Sequence, residues 1–175
     1  MKKVEHGKTF DRNAANPPAF EIFHNTVTEG YPKHWHTEII MPTRGEYEVV
    51  VGKDSYNLKE GDIIMINSGV VHGMRFVSQG ERIVMLVEPG CVENQEEMET
   101  IFLRLPAIYF KKEDEEDPFY LFLRSQILEL VREYDNEGAV MTHRICTGLK
   151  ELFSEFGRKG FSDVNAQNTF GAMKQ

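Results

Sequence analysis

Three histidines and one carboxylate stand at spacings that a β-barrel would gather into a pocket. In Pro32-Lys33-His34-Trp35-His36-Thr37-Glu38-Ile39-Ile40, residues His34, His36 and Glu38 alternate along an extended run. Successive strand residues point to opposite faces, so these three share one side and Trp35 the other. Further on, Gly61-Asp62-Ile63-Ile64-Met65-Ile66-Asn67-Ser68-Gly69-Val70-Val71-His72 reads as turn, apolar strand and turn, returning His72 towards the first strand. Three imidazoles, His34, His36 and His72, suit Zn²⁺, Ni²⁺ or Fe²⁺ with one coordination position open. Without a metal the same groups suit hydrogen bonds to an organic ligand, because a buried imidazole needs a partner in either case. In Glu46-Tyr47-Glu48-Val49-Val50-Val51, the alternation turns Tyr47 and Val49 inward and the glutamates to solvent. Tyr47 then either fills the core or stands at the wall of the same lumen with its hydroxyl available to a ligand. His6, His24 and His143 are isolated and read as structural or as part of the N-terminal arm.

The elements that must position these residues come in two kinds. Residues 1–18 form a polar arm ending in Asn16-Pro17-Pro18. Over residues 19–92, β-rich runs at Phe20 to Val27, His34 to Met41, Glu46 to Val51, Ser55 to Leu58, Asp62 to Asn67, Gly73 to Val77 and Glu81 to Glu88 alternate with turn residues. This is the pattern of an all-β sandwich or barrel. Ile63 to Ile66 is apolar at every position, which predicts a strand with the lumen on one side and packed protein on the other. The period changes to helical over 93–160. A short acidic helix is expected from Glu93 to Leu103, and a hairpin of two helices over 118–157. Asp117-Pro118 supplies a cap and a first-turn proline. Tyr120, Leu123, Ile127, Leu130, Val131 and Tyr134 make one stripe, and Met141, Ile145, Leu149, Leu152 and Phe156 another. Phe119, Phe122, Val140 and Phe153 fall off these stripes. One face can therefore pack on the barrel while another meets a partner. Residues 161–175 read as the start of a linker.

Composition narrows the function. The chain has 175 residues, 41% apolar and 27% charged, enough for one domain with an appendage. No apolar run follows Lys2-Lys3 and none approaches the roughly 18 residues of a membrane span, so a cytoplasmic protein without a membrane partner is expected. Cys91 and Cys146 are expected as free thiols. The net charge of −8 argues against DNA binding by these residues themselves, since a nucleic-acid-binding domain needs a basic face.

The two histidine segments resemble the two motifs of the cupin family. Gly30, His34, His36 and Gly45 fill the places of the first motif, and Gly61, Gly69 and His72 those of the second. The glutamate of the first motif falls at Ile40 or Met41 here, Glu38 being the only carboxylate near it. Asn67 stands for the proline of the second motif and Phe76 for its asparagine. The fold implied is mainly β: a cupin-type double-stranded β-helix, or jelly-roll barrel, followed by an antiparallel helical hairpin. Together with Leu58-Lys59-Glu60-Gly61-Asp62-Ile63-Ile64 and the hairpin, the chain from about 18 to 160 resembles the N-terminal half of AraC-type transcriptional regulators. The resemblance implies a small effector in the lumen, dimerisation through the helices, and DNA reading by a C-terminal domain with two helix-turn-helix units lying past this segment. It also implies a sensor that is not an enzyme and needs no cofactor. The ligand-binding residues expected are His34, His36, Glu38, Tyr47 and His72, and the polar lumen suggests a small polar effector such as a sugar. A metal-dependent cupin enzyme of isomerase or dioxygenase type, using His34, His36 and His72, is the alternative.

Overall fold

A computed structural model describes residues 20–26, 36–87, 106–112, 117–136, 144, 147–152, 154, 155 and 158. The N-terminal arm, His34, Trp35, both cysteines, the helix expected at 93–103 and the 161–175 tail lie outside the described residues. Seven strands stand where the alternating runs predict them: β1 (Phe20–Thr26), β2 (Thr37–Arg44), β3 (Tyr47–Val51), β4 (Asp54–Leu58), β5 (Ile63–Ile66), β6 (His72–Phe76) and β7 (Glu81–Val87). An eighth, β8 (Ala107–Phe110), comes from inside the 93–160 segment that the sequence assigns to helix. Four residues after a proline carry too little periodicity to announce a strand, so only its pairing with β5 reveals it. The helix α1 (Pro118–Asn136) follows.

Two antiparallel sheets result, one in the order β1-β7-β2-β5-β8 and the other β4-β3-β6. Along β2 and β5 both faces are buried, and the parity separates two cores. Ile39, Met41, Ile63, Met65, Ile83, Met85 and Val87 cluster with Tyr120, Leu123, Ile127 and Leu130 of α1. Ile40, Ile64 and Ile66 face the other way, against Tyr47, Val49, Val51 and Leu58 of the second sheet. The lumen therefore lies between the sheets, and the helices cover the outer face of the larger one. The apolar strand at Ile63–Ile66 has the two packed sides that its composition predicts.

The helix begins as its cap predicts, with Asp117 Oδ1 accepting the Phe119 amide at 2.9 Å. Helical residues recur from Arg144 to Arg158 and run antiparallel to α1. Arg144 bonds Glu133 at 2.7 Å, Gly148 lies against Leu130, and the Arg158 guanidinium sits 6.0 Å from the Phe119 ring centroid. Leu149 and Leu152 join the outer core.

The turn between β4 and β5 ties helix to barrel. Gly61 adopts φ of 87°, a conformation open to glycine, and its carbonyl accepts the buried Tyr120 hydroxyl at 2.9 Å. Beside it, the buried Asp62 carboxylate accepts the Lys59 amide at 2.9 Å, the Lys112 amide at 2.7 Å and the Tyr109 hydroxyl at 2.7 Å. Asp62→Ala would leave two backbone amides without their acceptor and the Tyr109 hydroxyl with only the Asn57 carbonyl at 3.1 Å. It should lower stability by about 2–3 kcal/mol, read as a fall in the urea midpoint at constant slope. An unchanged midpoint would show that these bonds do not hold the turn.

Candidate functional site: a polar barrel lumen

Glu38 lies on the lumen side of β2, in parity with Ile40, and is buried. His72 opens β6. The turn before it is built by Asn67, whose carbonyl accepts the Val70 amide at 3.3 Å, and by Gly69 in a left-handed conformation with φ of 73°. The turn aims the ring back across the barrel, and His72 Nε2 meets Glu38 Oε2 at 2.8 Å. Its Nδ1 lies 2.8 Å from the Val70 carbonyl oxygen. A carbonyl only accepts, so Nδ1 carries a hydrogen, and the bond to Glu38 requires one more proton between ring and carboxyl. Burial pulls the imidazolium pKa down. The hydrogen bond to Glu38, the Val70 carbonyl and the Glu38 charge together outweigh burial, and the net direction is up from 6.5. The raised direction favours the proton on the ring, which makes the pair an imidazolium facing a carboxylate below that pKa.

A second polar group occupies the other end of the lumen. Tyr47, wholly buried on β3, and Arg82, 7% exposed on β7, face one another with the guanidinium carbon 5.3 Å from the ring centroid. Neither the Tyr47 hydroxyl nor Arg82 Nε makes a hydrogen bond of good geometry, although hydroxyl and guanidinium lie close enough to interact. Burial raises the Tyr47 pKa, with the nearby guanidinium opposing. Burial likewise lowers that of Arg82, with Tyr47 and Glu38 opposing. Arg82 is absent from the residues that the sequence singles out. In Glu81-Arg82-Ile83-Val84-Met85-Leu86-Val87 it looks like a turn charge. The signal was its parity: Ile83, Met85 and Val87 take the helix side, so Arg82 takes the lumen.

The lumen thus brings together Glu38, His72 and Tyr47 of the five expected ligand residues. His36 stands at a bend just before β2 and is half-buried. His34 lies outside the described residues. Among the described residues, no three His, Cys, Asp or Glu side chains form a metal-ligand group. Both ring nitrogens of His72 are engaged, with Glu38 and with Val70. A metal at His72 would have to displace the Glu38 contact. Glu48, expected in solvent, is half-buried and bound by Ser55 at 2.7 Å and by Arg75.

Residues 20–88 match the family model of the cupin domain. No curated protein sequence shows a match to the chain. Among solved structures, an apo form of ToxT from Vibrio cholerae is similar with a TM-score of 0.50 at 12% identity, covering 85% of this chain and 56% of that one. The AraC-like transcriptional activator CuxR is similar with a TM-score of 0.50 at 8% identity, covering 79% of this chain and 49% of that one. A cupin superfamily protein from Desulfitobacterium hafniense covers 42% of this chain and 72% of its own at 14% identity, with a TM-score of 0.35. The chain spans about half the length of the ToxT and CuxR chains. The likenesses to ToxT and CuxR are of fold, and the fold of this chain is a cupin barrel followed by a helical part. Among the described residues no helix is long and apolar enough to cross a membrane.

Because the folded His72 pKa is raised, the stability this proton brings is complete below the unfolded value of 6.5 and is lost as pH rises through the folded value. His72→Gln should destabilise the barrel by about 3 kcal/mol near pH 6, the order expected when one partner of a buried pair is removed. The difference from wild type should shrink as pH rises above 6.5 and through the raised pKa of the folded ring. Parallel melts across that range check it, and a difference that grows with pH would reverse the assignment.

Proposed function

We propose that the chain is the effector-sensing and dimerisation module of an AraC-type transcription regulator, and that it is not itself an enzyme. The observation that carries this reading is the division of labour between the faces of the larger sheet. One face is sealed by α1 and the second helical stretch, while the other carries buried Glu38 and Arg82 towards His72 and Tyr47 of the smaller sheet. A helical hairpin fixed to a ligand barrel gives a sensor both a pocket and a surface through which a second copy can respond. The ligand is a small polar molecule, with sugars among the first compounds to screen. DNA would be read by a separate basic domain, because this chain carries a net charge of −8.

The described part of the outward helix face offers Leu121, 49% exposed, and the half-buried Leu128 one heptad later. Leu121→Glu should convert a homodimer into a monomer with an unchanged barrel, seen by light scattering and circular dichroism. A wild-type chain that is monomeric at high concentration would refute dimerisation through this face.

The alternative, a metal-dependent cupin enzyme using His34, His36 and His72, makes an opposite thermal prediction. A metal bound only by the folded state would stabilise it by mass action, so chelation would lower the melting temperature sharply. The sensor reading predicts melts that superimpose with and without chelator, with no stoichiometric metal in elemental analysis. Co-purifying metal together with a chelator-dependent fall would transfer the reading to the enzyme.

A further inference from the structure

We infer that the Arg82 and Tyr47 end of the lumen binds the carboxylate of a small organic acid, admitted from the groove above it. Arg82 and Tyr47 are 7% and 0% exposed, and their Nε and hydroxyl make no hydrogen bond of good geometry. A buried donor left unpaired is unfavourable, and two of them aimed into one lumen call for an acceptor. The carboxylates around them are engaged elsewhere: Glu38 bonds His72, and Glu81 pairs with Arg44 at 3.3 Å. The Thr43 hydroxyl, also buried without a partner, follows Pro42, which pairs in register with Arg82.

The groove is at this same end. It is open to solvent, has a volume of about 760 Å³, and is lined by Gly45 and Glu46, which lead into Tyr47, by Ser78 before β7, and by Lys59, Glu60, Asp62 and Lys112. A planar guanidinium beside a phenol hydroxyl presents donors in the geometry that a carboxylate accepts, with charge assistance that a neutral hydroxyl lacks. The inference rests on the effector-sensing reading and narrows its ligand to polar organic anions, sugar acids included.

The test uses the chain itself. Acetate, butyrate and glucuronate are titrated at constant ionic strength by calorimetry and in thermal melts, against acetamide, butyramide and glucose. At least one carboxylate should bind saturably and raise the melting temperature, and its neutral counterpart should not. Arg82→Lys and Arg82→Gln should weaken binding at least about tenfold, the order of a lost hydrogen bond to a charged group. Tyr47→Phe should weaken binding several-fold yet raise the melting temperature of the unliganded protein, because it removes an orphan hydroxyl. That opposition separates a ligand role from a structural one and holds if Arg82→Gln fails to fold. Carboxylates that bind no better than the amides, inorganic phosphate that protects equally well, or affinities unchanged in Arg82→Lys and Tyr47→Phe would overturn the site. A neutral ligand weakened by His72→Gln but not by Arg82→Lys would overturn it while leaving the sensing reading intact.

Discussion

The structure depends on one sheet having two insides. β2, β5 and β7 bury both faces, so every residue along them belongs either to the lumen or to the helix-packed core. A slip of one residue in β2 would place Glu38 among Ile63, Met65 and Leu123, and Ile39 opposite His72. Burying a carboxylate there without a partner is far more costly than any single lost contact, so the register is held by electrostatics as well as by packing. The helices are thus part of what makes the lumen: without α1, the odd-numbered faces of β2 and β5 would be wet and the parity only weakly specified.

Within the lumen, polar groups sit at the two ends and apolar ones between. Glu38 pairs in register with Leu86 and Ile66, and Arg82 with Pro42, four positions further along the same sheet. Ile40, Ile64 and Val49 occupy the stretch between. The two ends differ in kind. At one, His72 bonds Glu38 and the turn carbonyl of Val70, so both of its ring nitrogens are matched. At the other, Arg82 and Tyr47 face each other across a ring contact that leaves Nε and the hydroxyl unmatched. The first arrangement holds the barrel together; the second is open to a ligand.

Much of this was legible in the sequence, and what was not has a physical reason. Strand alternation placed Tyr47 and Val49 inside, and the Gly69 turn predicted that His72 would return to the β2 side. Glu38 was noticed as the carboxylate that comes too early for the cupin motif, and its position is what lets it meet His72. The helical stripe at Tyr120, Leu123, Ile127 and Leu130 followed from its period. β8 was not legible, because Ala-Ile-Tyr-Phe is identified as a strand only by the β5 edge it covers. Nor was Arg82: a charged residue beside Glu81 near a turn reads as surface, and only the register with Pro42 reveals that it points inward.

The unsatisfied end also bears on how a barrel of this kind could signal. A folded domain keeps buried donors unpaired only where the surrounding structure compensates, here through the dense packing of the Ile40 and Ile64 layer and the Asp62 turn. Glu46 and Gly45 border the groove and lead directly into Tyr47, while Asp62 and Lys112 border its other side. Gly61, next to Asp62, accepts the Tyr120 hydroxyl of α1 at 2.9 Å. Groove, turn and helix are therefore joined by consecutive residues and hydrogen bonds. An acceptor that satisfied Arg82 and Tyr47 would relieve strain at the barrel end where the helix is anchored. Occupancy would reach the helices only if the ligand discriminated between two arrangements of this linkage, because a ligand shifts an equilibrium only by as much as it discriminates between the states.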